Sequence, residues 1–276
     1  MPKRPALLAF MRRESPSEYL EKYRQVPVDA ETQKRIDSLS TPWAEVEYQD
    51  VGEVDVTHRD LRLSFEYRVV PKDASVAFTE KGRQHEIYFE LSQLEIEKVE
   101  DGDIKRKMQD VLPGDYRVYF SLSDKGETCY VNLDQKRIVL HGDPTSPRIF
   151  LALFHEIGHI YENRSEKVFA PQLFTNRKSV DVIDLAEKVH SERDAWAFAF
   201  KYLRPLLARG TVGPSALSSD DALAFAKNVA LHSYSEGAEY DAAQRRSMSH
   251  FAWDYVDDYE NDYLFQDPDI EEKDQE

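Results

Sequence analysis

The spacing of apolar residues changes along the chain, and the change divides it into strand-like and helical parts. From about Val46 to Leu94 apolar and polar positions alternate in short runs rich in β-branched and aromatic side chains. Arg62–Val70 and Glu86–Leu91 are the clearest, and a period of two predicts strands. Tyr116–Leu122 reads as another strand, followed by a turn at Asp124-Lys125-Gly126. Thr128–Leu133 sets Cys129, Val131 and Leu133 on one face, and Arg137–His141 follows a second polar turn. These last three runs predict a small antiparallel β-meander.

After residue 145 the period becomes helical. Ser146 as N-cap and Pro147 as first helical residue predict a helix to about Asn163. Its front half, Ile149–Phe154, is apolar around the whole circumference, so the helix is expected to be buried. A loop containing Pro171 leads to a second long helix, about Ser179 to Leu203, stopped by Pro205. Ser215–Tyr259 also reads as helical. Two polar helices are expected between Ser15 and Ser40, the first starting at Ser15-Pro16, and a short charged helix at Gly102–Val111 before Pro113-Gly114. The fold class expected is α+β. Residues 1–112 form a mixed α/β region, 113–259 a core of meander and helices, and 260–276 an acidic tail too polar to order itself.

Composition adds limits to this outline. With 41% apolar residues in 276, the chain can bury a sizeable core. Its longest apolar stretches, such as Ala6–Met11 and Ile149–Phe154, fall far short of the roughly 20 residues a membrane span needs. The basic start, Lys3 and Arg4, precedes an apolar run too short for a signal peptide. A single cysteine, Cys129, read as a core side chain, fits a reducing compartment, so a cytoplasmic location is expected. The net charge of −16 repels phosphate backbones and argues against direct nucleic-acid binding.

The chemistry concentrates in the first long helix. His155-Glu156-Ile157-Gly158-His159 matches H-E-x-x-H, and histidines four apart on a helix share one face, where both imidazoles can reach one ion. Glu156 stands beside the first of them, placed to take a proton from water. Gly158, without a side chain, allows another helix to pass close by. The second long helix offers a third ligand. Leu185, Val189, Glu192, Ala195, Ala199 and Leu203 fall at helical spacing, which leaves Glu192 as the acid inside an apolar stripe. Glu187 and Asp194 lie off that stripe, and His190 sits on a more solvated face. A core glutamate paired with an arginine such as Arg193 is the alternative.

The run Glu192-Arg193-Asp194-Ala195-Trp196-Ala197-Phe198-Ala199-Phe200-Lys201-Tyr202-Leu203-Arg204-Pro205 resembles the E-x-E-A-N-x-F-A-x-x-L-L-x-P segment of ImmA/IrrE-type metallopeptidases. Those proteins carry a short meander, an H-E-[IL]-G-H helix and this second helix in the same order, and the resemblance covers about residues 116–205. It implies a zincin-like core with a gluzincin-like zinc site: His155, His159 and Glu192 as ligands and Glu156 as catalytic base. The segment's second acid falls on Asp194, the runner-up ligand, and Trp196 stands where the family has asparagine. The resemblance further implies an endopeptidase acting on a protein substrate, with a helix-turn-helix repressor as candidate. His232 and Tyr234 are candidates for stabilising an oxyanion. Two other classes compete: a metal-stabilised binding module that engages a partner through its acidic tail, and a toxin or immunity component active only with a cognate partner.

Overall fold

Period-two alternation in the first half of the chain becomes three long strands, β1 (Val51–His58), β2 (Leu61–Val70) and β3 (Tyr88–Lys98). The computed structural model describes residues 28–58, 60–70, 88–122, 129–164, 182–207 and 218–231, with backbone alone for 58, 162–164, 182–190 and 219. On β2, Leu61, Leu63, Phe65 and Tyr67 point into the core. On β3, Phe89 and Leu91 do so, then Leu94 and Ile96, one residue out of phase. A bulge explains the shift: Glu66 pairs with Gln93 and Tyr67 with Leu91, so Ser92 is the extra residue. Without it Leu94 and Ile96 would face solvent. The opposite face of these strands carries ion pairs, including Arg62–Asp55, Arg68–Glu90 and Arg117–Glu90.

Two expectations are corrected in the next segment. In place of a helix over Gly102–Val111, Lys105–Lys107 forms a strand, β4, against Glu95–Glu97 of β3, and helix α2 is one turn, Met108–Val111. Cross-strand charge explains the outcome, because Lys105 and Lys107 both reach Glu95 and Lys105 also reaches Glu97. The second correction concerns the meander. Strands β5 (Arg117–Ser121), β6 (Tyr130–Asn132) and β7 (Arg137–His141) are present, but β7 lies beside β5 and runs parallel to it. β6 pairs antiparallel with β7 at the sheet edge, giving the order β1-β2-β3-β5-β7-β6. Burial decides this arrangement. Ile138, Val139 and Leu140 are an uninterrupted apolar run buried on both faces, suited to an interior strand, while Tyr130–Asn132 is only half-buried.

The sheet runs through the boundary expected at residues 112 and 113, since β3 pairs with β5. One hydrophobic cluster likewise joins Leu63 and Ile96 to Phe154 and Phe200. The class is therefore α+β, an antiparallel-rich sheet with helices.

The helices are α1 (Ala30–Ser38), α3 (Pro147–Arg164), α4 (Val182–Leu203) and α5 (Ser219–Phe225), the last continuing into a π-helical turn, Ala226–Leu231. Asp29 caps α1 by accepting from the Glu31 and Thr32 amides. At the start of α3 the expected cap takes another form. Ser146 Oγ donates to the Leu39 carbonyl at 2.8 Å, and the Arg148 amide donates to that same carbonyl at 3.0 Å. The end of α1 thus supplies the acceptor that the first turn of α3 needs. Gly142, at φ +132°, turns the chain from β7 towards α3. The Ser15 helix start, the Asp124–Gly126 turn, the Pro171 loop, residues 232–259 and the acidic tail lie outside the described residues. Among the described residues no helix is long and apolar enough to cross a membrane.

Candidate metal centre

Helix α3 is buried almost throughout its front two-thirds: Ile149, Phe150, Leu151, Leu153, Phe154, Ile157 and Ile160 are each at most 5% exposed. Apolar packing on this scale fixes the helix axis, and within it His155 and Glu156 are buried and His159 is half-buried. Helix α4 supplies the other wall, with Ala195, Ala199, Phe200 and Leu203 buried beside Glu192. Of the stripe expected on α4, the side chains of Leu185 and Val189 lie outside the described residues, as do those of Glu187 and His190.

Gly158 sets the distance between the two helices. A Cβ built on it would stand 2.6 Å from the Ala195 carbonyl oxygen and 2.7 Å from the Ala195 Cα. No side chain fits there, so the backbones touch. Gly158 lies between His155 and His159, and Ala195 lies about one turn after Glu192, so this contact brings the Glu192 turn of α4 alongside the two histidines.

The result is a three-way junction. His155 Nε2 lies 3.0 Å from Glu192 Oε2, His159 Nε2 lies 3.2 Å from His155 Nε2, and His159 Nε2 lies 3.3 Å from Glu192 Oε2. All three residues are buried or nearly so, and they form the one group among the described residues able to offer three ligand atoms to an ion. The donor set fits zinc. Ligand atoms about 2.0–2.2 Å from a tetrahedral centre stand about 3.3–3.6 Å apart, a little beyond the separations of 3.0–3.3 Å here. Each imidazole Nε2 is a donor or an acceptor according to its tautomer, and the carboxylate oxygen is an acceptor. Converging out of water, they need a cation or shared protons between them. Asp194 is not in this group, and among the described residues Glu192 contacts the two histidines.

Two buried carboxylates here are driven in opposite directions. Burial pushes the Glu156 carboxyl above the ordinary glutamate range, with Glu192 adding to the rise, while the histidines and a backbone hydrogen bond from Val131 on β6 oppose it. Glu192 meets a similar burial cost, yet its direct contacts with His159 and His155 hold it well below that range. Pairs of acids split in this way are the usual means of giving one a ligand or charge role and the other a proton-transfer role. Cys129, at the start of β6, also feels the Glu156 charge; burial pushes its thiol up to about 11, which leaves it a protonated thiol at neutral pH.

Trp196 makes a contact beyond those expected from the sequence. Its indole stacks on the His155 imidazole, ring centroids 4.5 Å apart and planes 29° apart. The signal was available, since Trp196 is one turn beyond Glu192 and on the same face of α4. His232 and Tyr234 lie outside the described residues. No protein-family model matches the chain, no curated protein matches its sequence, and no solved structure matches its fold.

Proposed function

We propose that the chain is a zinc-dependent endopeptidase in which His155, His159 and Glu192 hold the metal and Glu156 is the general base. The observation that carries this reading is the convergence of two Nε2 atoms and one carboxylate oxygen within 3.3 Å of one another, with a second buried carboxyl beside them. When bound, zinc would polarise the scissile carbonyl and lower the pKa of the attacking water. Glu156, as the carboxylate, accepts that water's proton at one oxygen and delivers it to the departing amine nitrogen. With the metal bound, Glu192 would hold it as a carboxylate, taking no part in the proton transfer. His155, Glu156 and Glu192 are each at most 7% exposed, and low exposure strengthens each of these charge interactions.

The substrate is a polypeptide in extended form. Among the described residues β6 pairs only with β7, and its outer edge adjoins Glu156, so a substrate strand added there would bring a peptide bond to the base. A helix-turn-helix repressor is the candidate substrate through the likeness to ImmA/IrrE-type peptidases, and a cytoplasmic location accompanies it. The deciding experiment is metal analysis of the purified full chain, with peptide hydrolysis measured before chelation, after chelation and after zinc is restored. The reading requires about one zinc per chain and activity that follows the metal. A chain without bound zinc after loading, or hydrolysis indifferent to chelation, defeats it.

A further inference from the structure

A metal-bound histidine is ordinarily held at both ends: one ring nitrogen meets the ion and the other donates to a carboxylate or carbonyl that fixes the ring plane. His155 departs from this. Its Nε2 faces Glu192 and His159, but its Nδ1 is buried and has no hydrogen-bond partner among the described residues. What lies against the ring instead is the indole of Trp196, nearly parallel at 4.5 Å and only 3% exposed. The indole is itself wedged in place. Phe225 of α5 meets it edge-on at 5.8 Å and Phe200 lies tilted against it at 6.2 Å. Its own Nε1 is buried without a hydrogen-bond partner among the described residues, where packing and not polar contact sets its position.

We propose that Trp196 is the positioning residue for His155, holding the imidazole plane by its aromatic face where a hydrogen-bond acceptor would ordinarily do so. Rotation of the His155 ring about its Cβ–Cγ bond would swing Nε2 away from Glu192, and the indole face blocks that rotation. The stack also responds to the ion. An imidazole that donates electron density to a cation becomes electron-poor and is drawn more strongly to the negative face of an indole. Trp196 therefore favours the loaded state as well as the correct ring plane. The inference rests on the metal reading of the site.

The test compares Trp196→Phe, which keeps an aromatic face, with Trp196→Leu, which fills much of the volume without one. Leu203→Ala, a cavity elsewhere in α4, serves as the structural control. Zinc affinity is measured by competition with a chelator, and the cobalt(II) absorption spectrum reports the ligand geometry. Trp196→Leu should weaken zinc binding about 10–100-fold and shift the cobalt bands. Trp196→Phe should restore most of both, and Leu203→Ala should lower the melting temperature while leaving both unchanged. Wild-type zinc affinity and cobalt spectrum in Trp196→Leu would overturn the proposal, as would an equal loss in Leu203→Ala. Should Trp196→Leu fail to fold, a chain with Trp43→Phe and Trp253→Phe keeps Trp196 as its sole indole. Zinc should then change its fluorescence, and an emission indifferent to zinc overturns the stack's role. A wild-type chain that takes up no metal overturns the metal reading and this proposal together.

Discussion

The outer face of the sheet and the crossing of α3 with α4 both set acids against basic side chains, and put them to opposite uses. On the sheet, Arg62 and Asp55 are both about half exposed, Arg68 and Arg117 share Glu90, and Lys105 bridges Glu95 and Glu97. Each charge there has water or a second partner within reach, so no single pair is indispensable. At the crossing, Glu192 is 7% exposed and its counterparts are two histidines on one neighbouring helix. Exposure, together with imidazoles in place of ammonium and guanidinium groups, separates a solvated surface from a junction that could hold an ion.

That contrast sets the scale of what substitution should do. His155→Ala or His159→Ala removes one of three ligand atoms from a site without replacements, and zinc affinity should fall by more than roughly 100-fold, beyond what loss of an outer partner causes. Chelator competition measures it. Near-normal zinc binding in the double variant would dissolve the contrast altogether.

Glu156→Gln should lower peptide hydrolysis by about 10²–10⁴ while zinc content stays near one per chain, because an amide cannot accept the proton. Its effect on stability should have the opposite sign. The Glu156 carboxyl is raised in the fold, so the charged form is disfavoured by folding, and the cost appears as pH rises past the ordinary glutamate range of about 4.3–4.5. Near neutral pH the metal-free Glu156→Gln protein should therefore melt higher than the metal-free wild type. Glu192 carries the reverse dependence. Its carboxyl is depressed, so its stabilisation is present above the ordinary range and lost as pH falls through the lower folded value. Glu192→Gln should flatten the acid limb of the melting curve of the metal-free protein. A steeper acid limb would reverse the roles assigned to the two acids.

Gly158→Ala tests the contact that brings the two regions of the site together. The added methyl meets backbone atoms of Ala195, which cannot rotate aside, so the helices must separate. Overpacking of this kind costs about 1–3 kcal/mol, or several degrees in melting temperature for a chain of this size. Zinc affinity should fall with it, since Glu192 moves with α4. Unchanged affinity would mean that the crossing does not set the ligand distance.

Much of this site was legible in the sequence because helical spacing is rigid. His155 and His159 are four apart, Glu192 interrupts an apolar stripe, and a glycine between the histidines announced a close neighbour. The sheet was less legible, for reasons that are tertiary. Lys105–Lys107 has helix-forming residues, and only the acids of β3 make it a strand. The place of β7 beside β5 depends on which of two adjacent runs is buried on both faces, a comparison that local alternation does not make. The bulge at Ser92 has no local signal of its own. Trp196 was read as a departure from the asparagine of the resembling family, and the ring it covers became visible only when the two helices crossed.

The smallest expected effect lies on the sheet and tests the other side of the contrast. Arg62 forms a bidentate pair with Asp55 on the neighbouring strand, a geometry better than most surface ion pairs have. If geometry alone governed stability, Arg62→Ala should be costly. Arg62 and Asp55 remain about half open to solvent, however, and Glu95 and Glu97 also act on the arginine, so its charge is shared among several acids. Water replaces the lost contact on either side, and the freed side-chain entropy offsets part of what is lost. Arg62→Ala should accordingly shift the melting temperature by no more than about 1–2 °C, and less in high salt, with zinc content unaltered. A drop as large as that of Gly158→Ala, persisting in high salt, would show that the sheet's charges hold the fold as firmly as the buried junction does, and exposure would no longer explain the difference between them.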